Sequence, residues 1–420
     1  FSLLFVMFMS SCSKRITYSS EFIAKTSGQY LYNQDDVIEI FYEDNSLFLK
    51  WRGAEKIKPV ILEENEFSEV SEWIGTGNYV LNAQLSGSLF GGVANNRSMG
   101  IAGDPQTGKS FLCMNIVRES QKQGYNVIYC DTEGAIDRSM AKKFGIDTNT
   151  VRYQPIKSIS DFKIFVANLV DKVKSIRKDG AEPKILLVLD SLGMLTTMKE
   201  SADALKGKTA MDMGIRSKEM RGLFREITLD LTGVRIPLIC TNHTTTAGIG
   251  SFMTTKEASG GDGPIFAMSV VSFLSKAQLK DGAGTKTGIV VTSTLKKSRF
   301  TIPEQVKFHI SFAHGMNPFV GLQDYVSWEA CGIERGKYEE VKNAEGKKES
   351  VFKPSATSTR WGVKHLGKTV ASTELFTEKV FTREVLEQLD VKVIKDKFKF
   401  PDLVDHSDIL DSMDIDDDSN

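Results

Sequence analysis

Cysteine is scarce in this chain, and what there is comes unpaired. The five cysteines (Cys12, Cys113, Cys130, Cys240 and Cys331) form no CxxC pair and show no zinc-binding spacing. A disulfide framework and a zinc module are therefore excluded, and buried, reduced thiols are expected, as in a cytosolic protein. An excess of charge of one sign is also lacking: 53 Lys and Arg against 54 Asp and Glu leave a formal net charge of −1. A uniformly basic nucleic-acid coat is ruled out, so any nucleic-acid contact must come from a local basic surface. There is no internal repeat and no low-complexity linker. With 41% hydrophobic and 25% charged residues, the composition is that of a globular protein able to bury a large core.

The N-terminus is the exception to this ordinary texture. Phe1 to Met9 is an apolar run with one polar residue, far short of the ~20 residues that span a bilayer. Ser10-Ser11-Cys12-Ser13-Lys14 follows, which resembles the end of a bacterial lipoprotein signal with Cys12 as the lipidated residue. The chain opens on Phe rather than Met, so this end reads as incomplete or artificial. Two readings stay open, a foreign or misjoined segment and an export signal, and only the second brings in a membrane.

Residues 15–65 alternate apolar and polar, as in Val37-Ile38-Glu39-Ile40-Phe41-Tyr42 and Leu47-Phe48-Leu49-Lys50-Trp51. That pattern predicts short β-hairpins. From Glu66 the texture changes, and a short helix is expected over 81–89, ended by Gly91-Gly92. Between Ser98 and Ile310, apolar runs at 99–102, 127–130, 185–189, 237–241, 270–274, 289–292 and 306–310 alternate with amphipathic stretches. Near-continuous apolar strands separated by helices predict an α/β fold with a mostly parallel sheet covered on both faces. The last runs follow one another without helices, so that side of the sheet is expected to be antiparallel. Beyond about 325 the chain turns polar and Lys/Glu-rich, is helical again near 383–394, and ends with eight aspartates between Asp402 and Asp418. Such a terminal acidic block reads as a solvated tail. The expected organisation is an atypical segment over 1–65, a core over 66–325, a small C-terminal region over 326–400 and the acidic tail over 401–420.

Gly103-Asp104-Pro105-Gln106-Thr107-Gly108-Lys109-Ser110 matches GxxxxGK[ST] in full, between an expected strand and an expected helix. Backbone N–H groups of such a loop curl around phosphate oxygens, and the following helix points its positive end at them. Lys109 can neutralise β- and γ-phosphates, and the Ser110 hydroxyl can ligand Mg²⁺. Ile185-Leu186-Leu187-Val188-Leu189-Asp190-Ser191 is a buried strand ending in a carboxylate, suited to holding the Mg²⁺ shell. A second strand ends in Asp131-Thr132-Glu133. Strand C-termini line the ligand crevice of such sheets, so one of these acids is placed to polarise an attacking water.

Together with Asn242-His243 at the end of a further strand, Thr76-Gly77 and Leu85-Ser86-Gly87, these motifs resemble the RecA family. Asn-His in place of Asn-Gln, Gly260-Gly261-Asp262-Gly263-Pro264 and Lys296-Lys297-Ser298-Arg299 are most similar to its phage branch, the UvsX recombinases. The resemblance covers roughly residues 66–420. It implies a RecA-like P-loop ATPase core that binds ATP and Mg²⁺. Glu133 would then be the catalytic base, with Asn242 and His243 sensing the γ-phosphate and Asp137 near the adenine. Met140 departs from the family pattern, standing where an aromatic is usual; a thioether can still pack on a purine. The family holds single-stranded DNA with a loop around Ser201–Arg216, where Lys199, Lys206, Lys208 and Arg216 supply charge. It does so also with the Gly/Ser/Thr-rich stretch Thr244–Asp262, which contains Phe252, Lys256 and the Gly260-Gly261 pair. Lys297 and Arg299 match cations that reach a neighbouring subunit's ATP. Implied partners are single- and double-stranded DNA, further copies in a helical filament, a recombination mediator and a single-strand-binding protein, all in the cytosol of an infected bacterium. Residues 1–65 depart from the family's self-association segment. Two rivals share the motifs: a hexameric helicase, and a DNA-binding scaffold switched by ATP without turnover.

Overall fold

The computed structural model describes residues 20–33, 36–43, 46–51, 69–207, 213–247, 255–258, 265, 267–342 and 347–401. The chain forms two compact units, Phe1–Phe67 and Ser68–Asn420. In the first, helix α1 (Ser20–Thr26) precedes an antiparallel meander of β1 (Gly28–Asn33), β2 (Asp36–Glu43) and β3 (Ser46–Trp51). The expected hairpins are present. Partners across β2 and β3 share a face, so Phe41 lies opposite Phe48 and their rings stack at 5.7 Å. The apolar run Phe1–Met9 and Cys12 lie outside the described residues.

The second unit opens with the short strand β4 (Trp73–Ile74), helix α2 (Tyr79–Ser86) and β5 (Val93–Ala94). Asn78 caps α2 by accepting from the Leu81 N–H, and Gly87 ends it at φ 80°, a left-handed conformation that glycine adopts at no steric cost. Then come β6 (Ser98–Gly103), α3 (Lys109–Lys122), β7 (Asn126–Asp131), α4 (Arg138–Lys143), β8 (Val151–Pro155), α5 (Ile159–Lys178) and β9 (Ile185–Asp190). They are followed by α6 (Met198–Leu205), α7 (Met213–Gly233), β10 (Leu238–Ala247), β11 (Thr255–Ala258), β12 (Val270–Lys280), β13 (Lys286–Ser298), β14 (Gln305–Ser311) and β15 (Gly315–Met316). The main sheet has the order β15-β14-β13-β12-β6-β10-β9-β7-β8, with β11 paired to β10. From β12 to β8 every neighbour is parallel, and from β12 to β15 every neighbour is antiparallel. The expected mixed sheet, antiparallel at one side, is what forms.

The apolar runs follow from burial on both faces. Along β9, Leu186 and Val188 join the cluster under α3, whereas Leu187 and Leu189 join the cluster under α5 and α7. A strand whose alternate residues are buried on opposite faces reads as one continuous apolar run. Helix α5 supplies Phe162, Val166, Val170 and Val173 to the second cluster at helical spacing. Its N-terminus is fixed by a capping box between Ser158 and Asp161. Of the five thiols, Cys113, Cys130, Cys240 and Cys331 are described, and all four are buried and unpaired.

The C-terminal region, expected as a polar and then helical segment, contains strands that its polar sequence did not announce. It holds a four-stranded antiparallel sheet of β16 (Ile333–Lys342), β17 (Lys348–Pro354), β18 (Arg360–Val363) and β19 (Lys368–Ala371). Its outer ribbon carries the cross-strand aromatic pair Tyr338 and Phe352, with Phe352 stacked on Trp328, beside a cluster of charges. Glu339 lies 2.6 Å from both Lys337 and Lys353, which hold its carboxyl down to about 2. The helical stretch near 383–394 forms as Arg383–Leu389 followed by a π-turn over Asp390–Ile394. Buried Asp390 ties it to the core by accepting from Leu89 N at 2.6 Å and Ser88 Oγ at 3.0 Å. The acidic residues beyond 401 lie outside the described residues.

Candidate active site

Strand register brings the motifs into one row. Gly103 pairs with His243, Asn242 with Ala102, and Asp131 with Asp190, so the C-terminal ends of β6, β9 and β7 stand in one row with Asn242 and His243 of β10. The sheet order extends from β6 on both sides, to β10 and to β12. A crevice for ligands forms at such a switch point, outside the strand ends. The loop Gly103–Ser110 joins β6 to α3 there. Gly108 adopts φ 94°, and a Cβ on it would stand 2.7 Å from Ile310 Cδ1. A Cβ on Gly103 would stand 2.6 Å from the Leu274 carbonyl oxygen and 2.7 Å from Thr107 Oγ1. Gln106 holds φ 62° without being glycine. The loop is braced by Thr107 Oγ1 donating to the Asp104 carbonyl at 2.9 Å and by Thr244 Oγ1 donating to Asp104 Oδ1 at 2.6 Å. Lys276 of β12 donates to the Pro105 carbonyl at 3.0 Å.

Lys109 opens α3 and is buried, with Nζ donating to the carbonyls of Gly103 at 2.8 Å and Asp104 at 3.0 Å. Burial pulls its ammonium below the usual value, and the carboxylates of Asp190, Glu133 and Asp104 oppose that pull. Asp190 is buried at the end of β9, accepting from Tyr129 Oη at 2.7 Å and from Thr241 Oγ1. Ser110 and Asp190 offer a hydroxyl and a carboxylate, hard oxygen donors of the kind that Mg²⁺ takes. Both stand beside a loop whose glycine positions leave no room for a side chain, and this donor set fits a magnesium-bound phosphate.

The two acids at the end of β7 have different roles. Asp131 is 3% exposed and accepts from the N–H groups of Glu133 at 2.9 Å and Gly134 at 2.8 Å. Its other oxygen accepts from Ile136 N at 3.3 Å and Tyr153 Oη at 3.2 Å. Asp131 therefore shapes the turn, and Glu133 faces the crevice. Ser191 Oγ donates to Glu133 Oε1 at 2.7 Å, and His243 Nε2 lies 3.2 Å from the same oxygen. Burial raises the Glu133 carboxyl, but the bonds from Ser191 and His243 and the charges of His243 and Lys109 outweigh it, leaving the carboxyl below its ordinary value. An ionised carboxylate so held can accept a proton. Asn242 is buried one position before His243.

Other candidates stand apart from this row. Asp137 caps α4, accepting from Met140 N at 2.7 Å. Lys297 lies opposite Val271, and Val271 opposite Gly100, which puts it three residues, ~10 Å, back from Gly103 along the strands. Its Nζ donates to the Ile265 carbonyl at 3.1 Å. Arg299 N donates to the Ser269 carbonyl, and Ser269 N to that of Ser98, so Arg299 sits at the far end of β6. Arg97 adjoins it, and burial and then the Arg299 charge lower the pKa values of both Arg97 and Lys297.

The two expected DNA-binding loops contain more regular structure than predicted. Thr197 and Glu200 cap α6 reciprocally, with Glu200 N to Thr197 Oγ1 at 3.0 Å and Thr197 N to Glu200 Oε2 at 2.7 Å. Lys199 thus lies on a helix, Lys206 follows it exposed to solvent, and Arg216 in α7 donates to the Gly193 carbonyl. The stretch expected as a loop from Thr244 instead continues β10, and β11 pairs back on it with Lys256 opposite Thr246. The β-branched run Thr244-Thr245-Thr246 favours that ribbon. Lys208, Phe252, Gly260 and Gly261 lie outside the described residues. The supporting residues Ser191, Tyr129, Thr241 and Thr244 were missed, although Thr241 stands next to Asp190 once Cys240 is paired with Leu189.

A phosphate-cradling loop at the switch point of a mostly parallel sheet defines a P-loop α/β protein. Residues 53–317 match the RecA N-terminal domain, and the chain belongs to the RecA family. It is 29% identical over 267 residues to the recombination and repair protein of Enterobacteria phage T4, covering 63% of this chain and 65% of that protein. It is 28% identical over 270 residues to the RecA protein of Sulfurovum sp. (strain NBC37-1), covering 63% of this chain and 72% of that one. Over 245 residues it is 26% identical to a mitochondrial DNA repair protein, recA homolog 3, of Arabidopsis thaliana, covering 54% of it. The chain thus spans just under two thirds of the phage relative's length.

Proposed function

We propose that this protein is a DNA-dependent ATPase and recombinase, which forms a helical filament on single-stranded DNA and exchanges strands with a homologous duplex. The observation that carries this reading is the row at the strand ends: Lys109 in the phosphate loop, Asp190 at the end of β9, Glu133 in the turn that follows the adjacent β7, and His243 touching Glu133. Backbone amides of the loop and Lys109 bind the phosphates of ATP. Ser110 and Asp190 hold Mg²⁺, which when bound neutralises charge developing on the phosphate oxygens. Glu133 takes the proton of the attacking water, held in place by Ser191 and His243. The contact of His243 with Glu133 lets the strand that continues into the β10–β11 ribbon respond to the γ-phosphate. Lys199, Lys206, Lys208, Arg216, Phe252 and Lys256 with Gly260 and Gly261 contact DNA, and Asp137 and Met140 contact the base. The mediator and single-strand-binding partners, and action in the host cytosol, belong to the same reading. Among the described residues no helix is long and apolar enough to cross a membrane.

Electron microscopy with single-stranded DNA and a slowly hydrolysed ATP analogue tests the assembly, and homology-dependent joint-molecule formation tests the activity. Rings that unwind duplex processively would instead mark a helicase.

Glu133→Gln should bind ATP almost as the parent does while turnover falls about 100-fold, measured by phosphate release and nucleotide titration. A collapse of affinity with it would make Glu133 a structural or metal residue. Removing residues 402–420, with their eight aspartates, should strengthen DNA binding at low salt and leave it unchanged at high salt. The tail's anionic charge competes with DNA phosphates, and salt screens that competition. Equal affinities at low ionic strength would exclude the tail from this role.

A further inference from the structure

Glu133 is positioned from a part of the sheet that carries none of the motifs. Asp131 holds the turn that presents it, through bonds to Glu133 N at 2.9 Å and Gly134 N at 2.8 Å. The second Asp131 oxygen is tied to Tyr153, whose hydroxyl donates at 3.2 Å from the middle of β8. Strand β8 ends the order of the main sheet, and Tyr153 is 50% exposed on it. The ring also lines a cavity of about 290 Å³ together with Tyr129, Ile136, Asp137 and Val151. The ring is therefore not clamped by close packing, and its hydroxyl is the group that connects it to the site. Burial first, and then the Asp131 carboxylate, raise the Tyr153 hydroxyl above its usual pKa, so it remains a donor. Tyr129 performs the parallel task on the next strand, donating to Asp190 at 2.7 Å.

We infer that Tyr153 is a positioning residue for hydrolysis. Its hydroxyl fixes the orientation of Asp131, Asp131 fixes the turn at Glu133 and Gly134, and the turn holds Glu133 at Ser191 and His243. This rests on the reading of Glu133 as the catalytic base, and the two fail separately. Asp137, proposed to contact the base, lines the same cavity as the Tyr153 ring. The hydroxyl is instead tied to Asp131, so deleting the hydroxyl alone acts on the chemical step and not on binding.

The test is Tyr153→Phe, which deletes one oxygen and keeps the ring. In DNA-stimulated hydrolysis kcat should fall about fivefold with the KM for ATP unchanged, the scale of one hydrogen bond to a charged group at a half-exposed position. Hydrogen exchange in the nucleotide-free protein should quicken in the peptide spanning 131–137 and stay unchanged in the strand Ile185–Asp190. Placed in the Glu133→Gln background, Tyr153→Phe should lower kcat no further, because the residue it positions is already disabled. Unchanged kcat and unchanged exchange would overturn the inference. So would a fall in kcat and a rise in KM together with a lower melting temperature, which would mark a structural role. If Glu133→Gln lowers turnover while Tyr153→Phe does not, the relay alone is wrong. If Glu133→Gln itself retains full turnover, the assignment of the base falls, and the relay with it.

Discussion

Lys109→Ala is expected to lower ATP turnover by about three orders of magnitude and to abolish strand exchange, the cost of losing a preorganised charge aimed at the transferring phosphate. Lys109 is the one cation within the loop Gly103–Ser110. It is 7% exposed, and its ammonium is held by two backbone carbonyls, of Gly103 and Asp104. Burial lowers its pKa, and the surrounding carboxylates only partly restore it. A desolvated cation of this kind gains most when an anion arrives, so phosphate binding and Lys109 are mutually stabilising. Lys276 does not substitute, since its Nζ engages the Pro105 carbonyl rather than those of Gly103 and Asp104. Phosphate release at saturating ATP and DNA measures the effect. Residual turnover above about a tenth of the parent would contradict the role given to this lysine.

Much of this site was legible in the sequence because it lies where burial is strongest. The strands that carry it are covered on both faces, so each reads as an apolar run ending at a polar residue, and Asp131, Asp190 and His243 are those ends. What stayed hidden is held by other forces. Strand β8 is an edge strand of mixed residues, Val-Arg-Tyr-Gln-Pro, with no apolar run to mark it. The ribbon of β16 and β17 sets its one opposed aromatic pair, Tyr338 and Phe352, among Lys337, Glu339 and Lys353, a pattern that reads as solvated charge. The distinction between Asp131 and Glu133 also needed three dimensions. Both are strand-end acids, and only the turn shows that one accepts backbone N–H groups while the other faces the crevice. Helix α6 is the opposite case, since the capping pair Thr197 and Glu200 is visible in the sequence at its required spacing.

The placement of Lys297 and Arg299 leads to the remaining large effect. Both lie back from the loop of their own chain, Lys297 by ~10 Å along the strands and Arg299 beside Ser269 and Ser98 at the opposite end of β6. If they serve catalysis, the phosphates they meet belong to a neighbouring copy. Cations supplied across an interface to a developing phosphate charge are worth about 10³-fold or more. The double variant Lys297→Ala, Arg299→Ala should therefore bind ATP as the parent does, yet lose DNA-stimulated turnover by about that factor. Hydrolysis by the parent should rise more steeply than linearly with protein concentration, because DNA must first align copies. Mixing supplies the decisive measurement. The Lys109→Ala copy retains both cations, and the double variant retains its phosphate loop, so a mixed filament contains interfaces at which every group is present. Part of the activity that each variant lacks alone should return, in proportion to the fraction of such interfaces. Should mixing restore nothing while both variants still assemble on DNA, these cations act within their own chain or not at all.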